Sequence, residues 1–477
     1  MQAPLKLSRN ELPEPQRENI RRLIVNLIFV VYWLLIFEGA LRKWFFPDYH
    51  KALFFLRDPF VIAVYVLALR FRMWPRWSPV FTGGIILSLI AIPFILVQVV
   101  SNDIRPIVAL YGWRIYFWYL PLAFLIGEHF RGKDLCRLVR HTLFASIPIA
   151  ILVLFQFKSE PSAFINKTFD QNAIIFTVVP GIVRTSGTFT FTAGQVLFVG
   201  SIVPMLLAAW LVSKKHRLLG PVSLVLVTAS VFTNFMLNGN RSAFFYAAAA
   251  FLAAIGSGFV MYSRATRKRA LKVIVLPLVI LLIGGIAYAK VFPDALEAME
   301  SRQWYASRVE GNTLERAFRT FVDVFSVIDM TPVLGAGIGS GSNAGMMLSG
   351  RWEGMKYEGY IHYVLAEDEW SRLVQEGGIM GILYVMYRIW LVGWLSVGAI
   401  RATRRLANPL PLLLLSFAAV VLLTGQMTFQ GTINGYGWLF AGFCIAANKL
   451  GGRQTETAEP ALADLPRSGS TPLTNNS

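Results

Sequence analysis

Cysteine and histidine are scarce in this sequence, and their scarcity removes several kinds of site. Among 477 residues there are two cysteines, Cys136 and Cys444, and five dispersed histidines. Two isolated cysteines form neither a disulfide framework nor the paired motif of a zinc site. The dispersed histidines do not indicate a metal site either. We therefore expect no metal ion and no other cofactor.

Acidic residues are also few, with 27 Asp and Glu against 45 Lys and Arg and a formal net charge of +18. In a soluble protein this charge would suggest a nucleic-acid partner. Here the basic residues are scattered over short loops and form no single stripe, which argues against nucleic acid. Such loops are typical of membrane proteins, whose Lys and Arg face anionic lipid. We expect contact with membrane lipids and none with nucleic acid.

Long hydrophobic runs dominate the rest of the chain, which is 55% hydrophobic; soluble proteins average about 45–50%. A run of about 20 apolar residues crosses a bilayer as a helix. The short alternating strands of a membrane barrel are not seen. The sequence therefore predicts an all-α polytopic membrane protein with about 12 transmembrane helices, near 23–40, 53–70, 80–100, 108–127, 142–157, 191–212, 219–237, 242–262, 271–290, 373–397, 410–428 and 433–448.

Basic residues concentrate in alternate loops of this arrangement, as the positive-inside rule requires if both termini are cytoplasmic. The loop 41–52 is the exception, because it faces outward yet carries Arg42, Lys43 and Lys51. The predicted organisation is a cytoplasmic N-terminal segment (1–22), transmembrane helices 1–9 (23–290), a large periplasmic loop (291–372), transmembrane helices 10–12 (373–448) and a disordered cytoplasmic tail (449–477).

Arginines on the predicted outward face are candidates for phosphate binding. Arg184 lies in "PGIVRTSGTF", Arg241 in "LNGNRSAFF", and Arg316 and Arg319 in "TLERAFRTF", where an i,i+3 spacing puts them on one helix face. The planar guanidinium donates two parallel hydrogen bonds and stays charged, which suits phosphate. The alternative interpretation is contact with lipid headgroups or loop carboxylates.

Two further segments have both an ordinary and a chemical interpretation. The glycine-rich "PVLGAGIGSGSNAG" (332–345) is either a turn close to other backbone or a phosphate-binding nest. If 367–391 is one helix, Arg372 lies among Asp368, Glu369 and Glu376 in a self-neutralised patch. Glu367 then has no evident partner and is a candidate general base, with His362 as the alternative.

These motifs resemble those of the O-antigen ligase and O-antigen polymerase superfamily of membrane glycosyltransferases. The resemblance is carried by "RTSGTF", "NRSAFF", "TPVLGAGIGS" and "EDEWSRLVQEGGIMGIL", and by the large loop between the ninth and tenth spans. It implies a metal-independent, inverting enzyme in the bacterial inner membrane with a periplasmic active face. Its donor would be an undecaprenyl-pyrophosphate-linked glycan and its acceptor a second glycan, with a chain-length regulator and a flippase as possible partners.

The resemblance also implies roles for residues of this sequence. Arg241 matches the arginine that opens the eighth span, and Arg316 matches the arginine of the loop helix, with Arg319 as the alternative. Arg184 and Arg372 would also contact the substrate. Ligases carry His-Asn where this chain has Glu367 and Asp368, so we expect a polymerase that joins repeat units. Ligase-type transfer to another acceptor, a polysaccharide transporter or flippase, and a non-catalytic scaffold are the alternatives.

Overall fold

The computed structural model describes residues 13–168, 177–179, 182–211, 218–261, 313–349 and 368–450, together with single positions between 271 and 293. At 313–320 it describes the main chain. In chain order the helices are α1 (Glu14–Ala40), α2 (His50–Leu53), α3 (Asp58–Arg70), α4 (Pro79–Ser101), α5 (Pro106–Phe117), α6 (Leu120–His129), α7 (Gly132–Lys158), α8 (Thr192–Leu211), α9 (Pro221–Met236), α10 (Ser242–Met261), α11 (Thr313–Met330), α12 (Asn343–Leu348), α13 (Glu369–Gly377), α14 (Ile379–Leu406), α15 (Leu410–Thr424) and α16 (Gly431–Asn448).

Short elements join these helices. A π-helical turn, Leu41–Phe45, continues α1, and single 3₁₀ turns lie at Pro47–Tyr49 and Phe164–Asn166. A small antiparallel hairpin pairs β1 (Thr177–Val179) with β2 (Ile182–Val183). Several helices begin with proline, at Pro79, Pro106 and Pro221. Proline suits this position because the first helical N–H has no partner within the helix in any case.

The described helices are those of a membrane-embedded protein. Eight helical stretches among the described residues are long and apolar enough to cross a membrane, and two shorter apolar helices, α9 and α15, accompany them. Many of their large apolar side chains are exposed, including Leu96 on α4 and Met386 on α14. In lipid such exposure is favourable, and a helix satisfies its own backbone polar groups. The helical membrane character predicted from the sequence is therefore confirmed.

The helix α16 lies at the centre of the bundle. Its residues from Ile433 to Ala447 are buried, including Trp438. Gly442 lies so close to α6 that an added Cβ would be 2.8 Å from the carbonyl oxygen of Ala123. Asn434 donates to the carbonyl of Ile115 at 2.6 Å. These contacts hold α16 against α5 and α6.

Charged contacts distinguish the two ends of the bundle. At one end Arg21 donates to Asp134 at 2.9 Å and Lys449 to Glu128 at 2.8 Å; we call this the Arg21 end. At the other end, which we call the Arg57 end, Arg57 joins Glu38 in the last turn of α1 to Gly431, the first residue of α16. Because successive long helices run in opposite directions, the loop before α8, the turn before α10 and the start of α14 all lie at the Arg57 end.

Two predicted helices are divided in the structure. The fourth predicted span, 108–127, consists of α5 and α6 with a break at Trp118–Tyr119. The continuous helix expected over 367–391 is wrong, since α13 ends at Gly377 and α14 begins at Ile379. The ninth predicted span, 271–290, lies largely outside the described residues, as do residues 1–12 and 451–477 of the two predicted cytoplasmic ends.

The break at Gly378 has a local cause. Gly378 has φ +52°, and an added Cβ would lie 2.0 Å from the carbonyl oxygen of Val333. That carbonyl accepts a hydrogen bond from the N–H of Ile379 at 3.0 Å. A loop from 333 onward thus binds the first turn of α14, and only glycine fits the left-handed backbone beside it.

Candidate functional site

A buried charge network lies where α1, α3 and α16 meet at the Arg57 end. Arg57 donates to the Glu38 carboxylate at 3.0 Å and to the Gly431 carbonyl at 3.3 Å. Arg42 donates to the other Glu38 oxygen at 3.4 Å. Nearby, Arg114 and Asp58 form a two-pronged pair at 2.6 and 2.8 Å. The basic residue Arg42 of the exceptional loop 41–52 therefore has an internal partner.

The "RTSGTF" segment packs against this end of α1. Lys43 donates to the hydroxyl of Ser186 at 3.0 Å and to the carbonyl of Gly187 at 2.9 Å. Thr188 donates to the carbonyl of Ile36 at 2.6 Å. From the other side, Gln156 on α7 bonds both the N–H and the carbonyl of Gly187, at 2.8 and 3.1 Å. The segment is thus held on both sides by buried polar contacts.

The same segment reaches the turn that carries Arg241. Thr185 donates to the carbonyl of Leu237 at 2.9 Å, and both residues are buried. Arg184 precedes Thr185 directly, and Arg241 stands immediately before α10; both arginines are half-buried. Two of the predicted phosphate-binding segments, 52 residues apart at this contact, therefore meet in the fold.

A second buried network surrounds Glu369 on α13. Arg388 of α14 donates to one carboxylate oxygen at 2.7 Å, and Arg372 pairs with the other. The N–H of Thr428 donates to the first oxygen at 3.1 Å. All four residues are buried. The Glu369 carboxylate thus joins α13, α14 and the loop between α15 and α16.

The predicted patch around Arg372 is only partly correct. Arg372 pairs with Glu369, three residues earlier, as the helical spacing indicated, and its guanidinium lies 4.9 Å from the ring centre of Phe429. Asp368 instead caps α13 by accepting from the N–H of Ser371 at 3.0 Å. Such a cap satisfies a helix N–H that would otherwise lack a partner.

Glu376, the third acid of that patch, binds the glycine-rich loop. Its carboxylate accepts from the N–H groups of Gly339 and Gly341, at 3.1 and 2.8 Å, and from the Tyr116 hydroxyl at 2.9 Å. Gly339 has φ +92°, which brings successive N–H groups toward one point. The loop thus receives an internal carboxylate, which favours the close-packed turn over a phosphate-binding nest. Burial raises the pKa of the Glu376 carboxyl, against the effect of Arg372 and the three donors.

Gln98 of α4 also binds the glycine-rich loop. It is fully buried, donates to the carbonyls of Glu376 (3.0 Å) and Leu334, and accepts from the N–H of Ile338 at 3.0 Å. Ala336 also donates to the carbonyl of Gln375 at 2.7 Å. The glycine-rich loop and α13 are therefore bound to each other. Gln98 holds them against α4, and Tyr116 holds them against α5.

The loop between α15 and α16 connects the two halves of this region. Its Thr428 N–H reaches Glu369, and Asn343 N–H donates to its Phe429 carbonyl at 3.2 Å. The next residues lead to Gly431, whose carbonyl accepts from Arg57. All four motif segments thus lie at the Arg57 end, and 425–431 links α13 and Asn343 to Arg57. We refer to this group of contacts as the Arg57-end site.

The structure describes some of the predicted site residues and not others. Glu367 and His362 lie outside the described residues. Arg316 and Arg319 lie on α11, as predicted, where only the main chain is described. Arg184 and Arg241 lie in neighbouring segments, while Arg372 is buried beside Glu369. The substrate roles assigned to these residues remain predictions.

Two cations of the site were not identified from the sequence. Arg388 lies inside an apolar span, where a charge is costly unless it is paired; this position was the available signal. Lys43 belongs to the exceptional loop 41–52, and only its burial in the fold makes it part of the site.

Comparison with known proteins does not assign the chain to a family. No protein-family model matches the chain, and no curated protein matches it.

Proposed function

We propose that this protein is a polymerase-type glycosyltransferase of the bacterial inner membrane. It would join undecaprenyl-pyrophosphate-linked oligosaccharide repeat units on the periplasmic face, during exopolysaccharide, capsule or O-antigen synthesis. The observation that carries the proposal is the contact between Thr185 and Leu237. It places the segments of Arg184 and Arg241, both expected to bind the donor pyrophosphate, side by side at one end of the bundle.

The proposal places the Arg57 end at the periplasm and the Arg21 end in the cytoplasm, with about twelve spans and both termini inside. The loops at the Arg21 end support this orientation because they are rich in basic residues, among them Arg131, Lys133, Arg404 and Arg405. Two of the three cations of the loop 41–52, Arg42 and Lys43, do not argue against it because they have internal partners; Lys51 is exposed.

In the proposed mechanism an acceptor sugar hydroxyl attacks the anomeric carbon of the donor glycan. A C–O bond forms as the bond to the pyrophosphate oxygen breaks, and Glu367 or His362 accepts the hydroxyl proton. Arg241 and Arg316 stabilise the charge that develops on the departing pyrophosphate. A single displacement of this kind inverts the anomeric centre. Guanidinium groups would supply the positive charge that a metal supplies in other glycosyltransferases.

The test is an elongation assay with purified protein, lipid-linked oligosaccharide and no energy source. Longer glycans support a polymerase. Unextended oligosaccharide with vectorial movement across vesicles would support a flippase, and transfer to a different acceptor would support a ligase.

Arginine variants sharpen this assay. R241A should abolish elongation, and R241K should restore little if the guanidinium geometry matters. The matched control is K51A, because Lys51 is an exposed cation on the 41–52 segment of the same end. Normal chain lengths from folded R241A would contradict the assignment.

A further inference from the structure

Lys43 is a buried cation without a carboxylate partner among the described residues. Its side chain is only 3% exposed. Its ammonium donates to a hydroxyl and a carbonyl, at Ser186 and Gly187, and lies 4.4 Å from the ring centre of Trp44. Two acids, Glu38 and Asp48, are equally near along the chain. Glu38 is bound by Arg42 and Arg57 instead, and Asp48 is exposed. Neutral oxygen acceptors offset only part of the cost of burying an ammonium charge.

The neighbouring carboxylates do not compensate Lys43. Arg57 pairs with Glu38 and Arg114 pairs with Asp58. An ammonium group buried without an opposite charge is unfavourable in a low-dielectric region.

Buried polar groups without partners lie next to these contacts along the chain. Asn238 is fully buried, and neither atom of its side-chain amide has a hydrogen-bond partner among the described residues. The indole N–H of Trp44 is likewise buried without a partner there. Buried polar groups of this kind are rare, because each one costs free energy.

The chain neighbours of these groups contact three consecutive residues of the "RTSGTF" segment. Thr185 contacts Leu237, the neighbour of Asn238, while Ser186 and Gly187 contact Lys43. Successive residues advance the chain by at most about 3.6 Å, so the two contacts lie within about 10 Å along the segment. Arg184 immediately precedes them.

We infer that Lys43 and Asn238 line a phosphate-binding subsite beside Ser186, which holds a phosphate group of the lipid-linked donor. This inference rests on the proposed function for the identity of the donor, and on the buried donors for the anion. The ammonium would bind a phosphate oxygen directly, and the Asn238 amide would donate to a second one. Arg184 would lie at the edge of the subsite.

The experiment is a calorimetric titration of the purified, full-length protein in neutral detergent. The probes are farnesyl pyrophosphate, inorganic pyrophosphate, farnesol and phosphatidylglycerol. The variants are K43M, K43R and N238A, and the matched control is K51M at an exposed lysine of the same segment. Thermal unfolding of each variant establishes that it is folded.

We expect farnesyl pyrophosphate to bind the wild type and K51M equally. K43M should weaken binding by at least about tenfold, which is about 1.4 kcal/mol. K43R should retain most of the affinity because it keeps the charge, and N238A should weaken binding by a smaller factor. Inorganic pyrophosphate should compete, whereas farnesol should not.

An unchanged affinity in folded K43M would overturn the subsite. If K43M does not fold, unchanged affinity in folded N238A overturns the subsite, and so does a loss of affinity in K51M. Competition by phosphatidylglycerol as strong as that by inorganic pyrophosphate would overturn the assignment to the donor, in favour of a lipid headgroup. The proposed function and the subsite can fail independently. If the wild type binds farnesyl pyrophosphate through Lys43 but does not elongate glycans, the polymerase proposal is wrong and the subsite is retained. If K43M elongates glycans at the wild-type rate, the polymerase proposal is retained and the subsite is wrong.

Discussion

Glu369 and Arg388 form a buried ion pair across the break at Gly378, with the carboxylate oxygen 2.7 Å from the guanidinium nitrogen. The pair joins the short helix α13 to the membrane-spanning helix α14. Arg388 also donates to the carbonyl of Leu422 at 2.6 Å, so the same guanidinium fastens the end of α15. This relationship sets the position of α13, and with it the position of Asp368.

The two partners of this pair should not be equally important for stability. E369A removes the carboxylate that Arg372 and Arg388 share, whereas R388M leaves the Glu369–Arg372 pair intact. Removing one partner of a buried ion pair costs roughly 3–5 kcal/mol. We expect E369A to lower the thermal midpoint in detergent more than R388M, and R401A, at an exposed arginine of α14, to leave it unchanged. Equal shifts for E369A and R388M would show that the shared carboxylate is not the organising group.

Gly378 should not tolerate a side chain. G378A places a Cβ 2.0 Å from the Val333 carbonyl oxygen, and φ +52° with ψ −125° is a backbone conformation that glycine adopts readily and alanine does not. The control in the same helix is G393A, where an added Cβ meets nothing within 4 Å. We expect reduced stability and loss of elongation for G378A, and unchanged or slightly raised stability for G393A. Wild-type stability of G378A would mean that the break is not required.

Glu376 should hold the glycine-rich loop through its two oxygens. In E376Q one oxygen becomes an NH₂ group, which cannot accept from Gly339 or Gly341, so one buried N–H loses its partner at a cost of about 1–3 kcal/mol. Hydrogen–deuterium exchange of 335–341 should accelerate in E376Q. The control is D329N, at an exposed acid of α11. Unchanged exchange in E376Q would indicate that Gln98 alone retains the loop.

The two native cysteines offer a direct test of the proposed topology. Cys136 is exposed near the start of α7 at the Arg21 end, and Cys444 is buried. A membrane-impermeant maleimide should leave Cys136 unlabelled in intact spheroplasts and label it after permeabilisation. In a C136A background, K51C at the Arg57 end should be labelled without permeabilisation. The reverse pattern would invert the topology and place the proposed active face in the cytoplasm.

Much of the architecture could be predicted from the sequence because the membrane imposes it. A long apolar run in lipid must be a helix, since a helix satisfies its backbone hydrogen bonds within the run. Helix breaks were harder to predict. The break at Gly378 depends on the Val333 carbonyl, 45 residues earlier in the chain, and no periodicity within 367–391 reports that contact.

The candidate site was predictable in its motifs and less so in its pairings. The helical spacing correctly indicated the Glu369–Arg372 pair, because partners three residues apart meet on any helix. It could not assign Asp368 to a helix cap or Glu376 to the glycine-rich loop. Lys43 and Arg388 were missed as members of the site because their burial follows from helix packing.

The sequence by itself determined that the chain is a helical membrane protein with basic residues in its loops, because hydrophobic length and helical spacing are local properties. The tertiary structure decided which charges share a partner. Arg57 and Gly431 are 374 residues apart, and Lys43 and Ser186 are 143 apart. Only the packing of the helices brings such groups within hydrogen-bond distance, and burial then makes each charge depend on the partner that packing supplies.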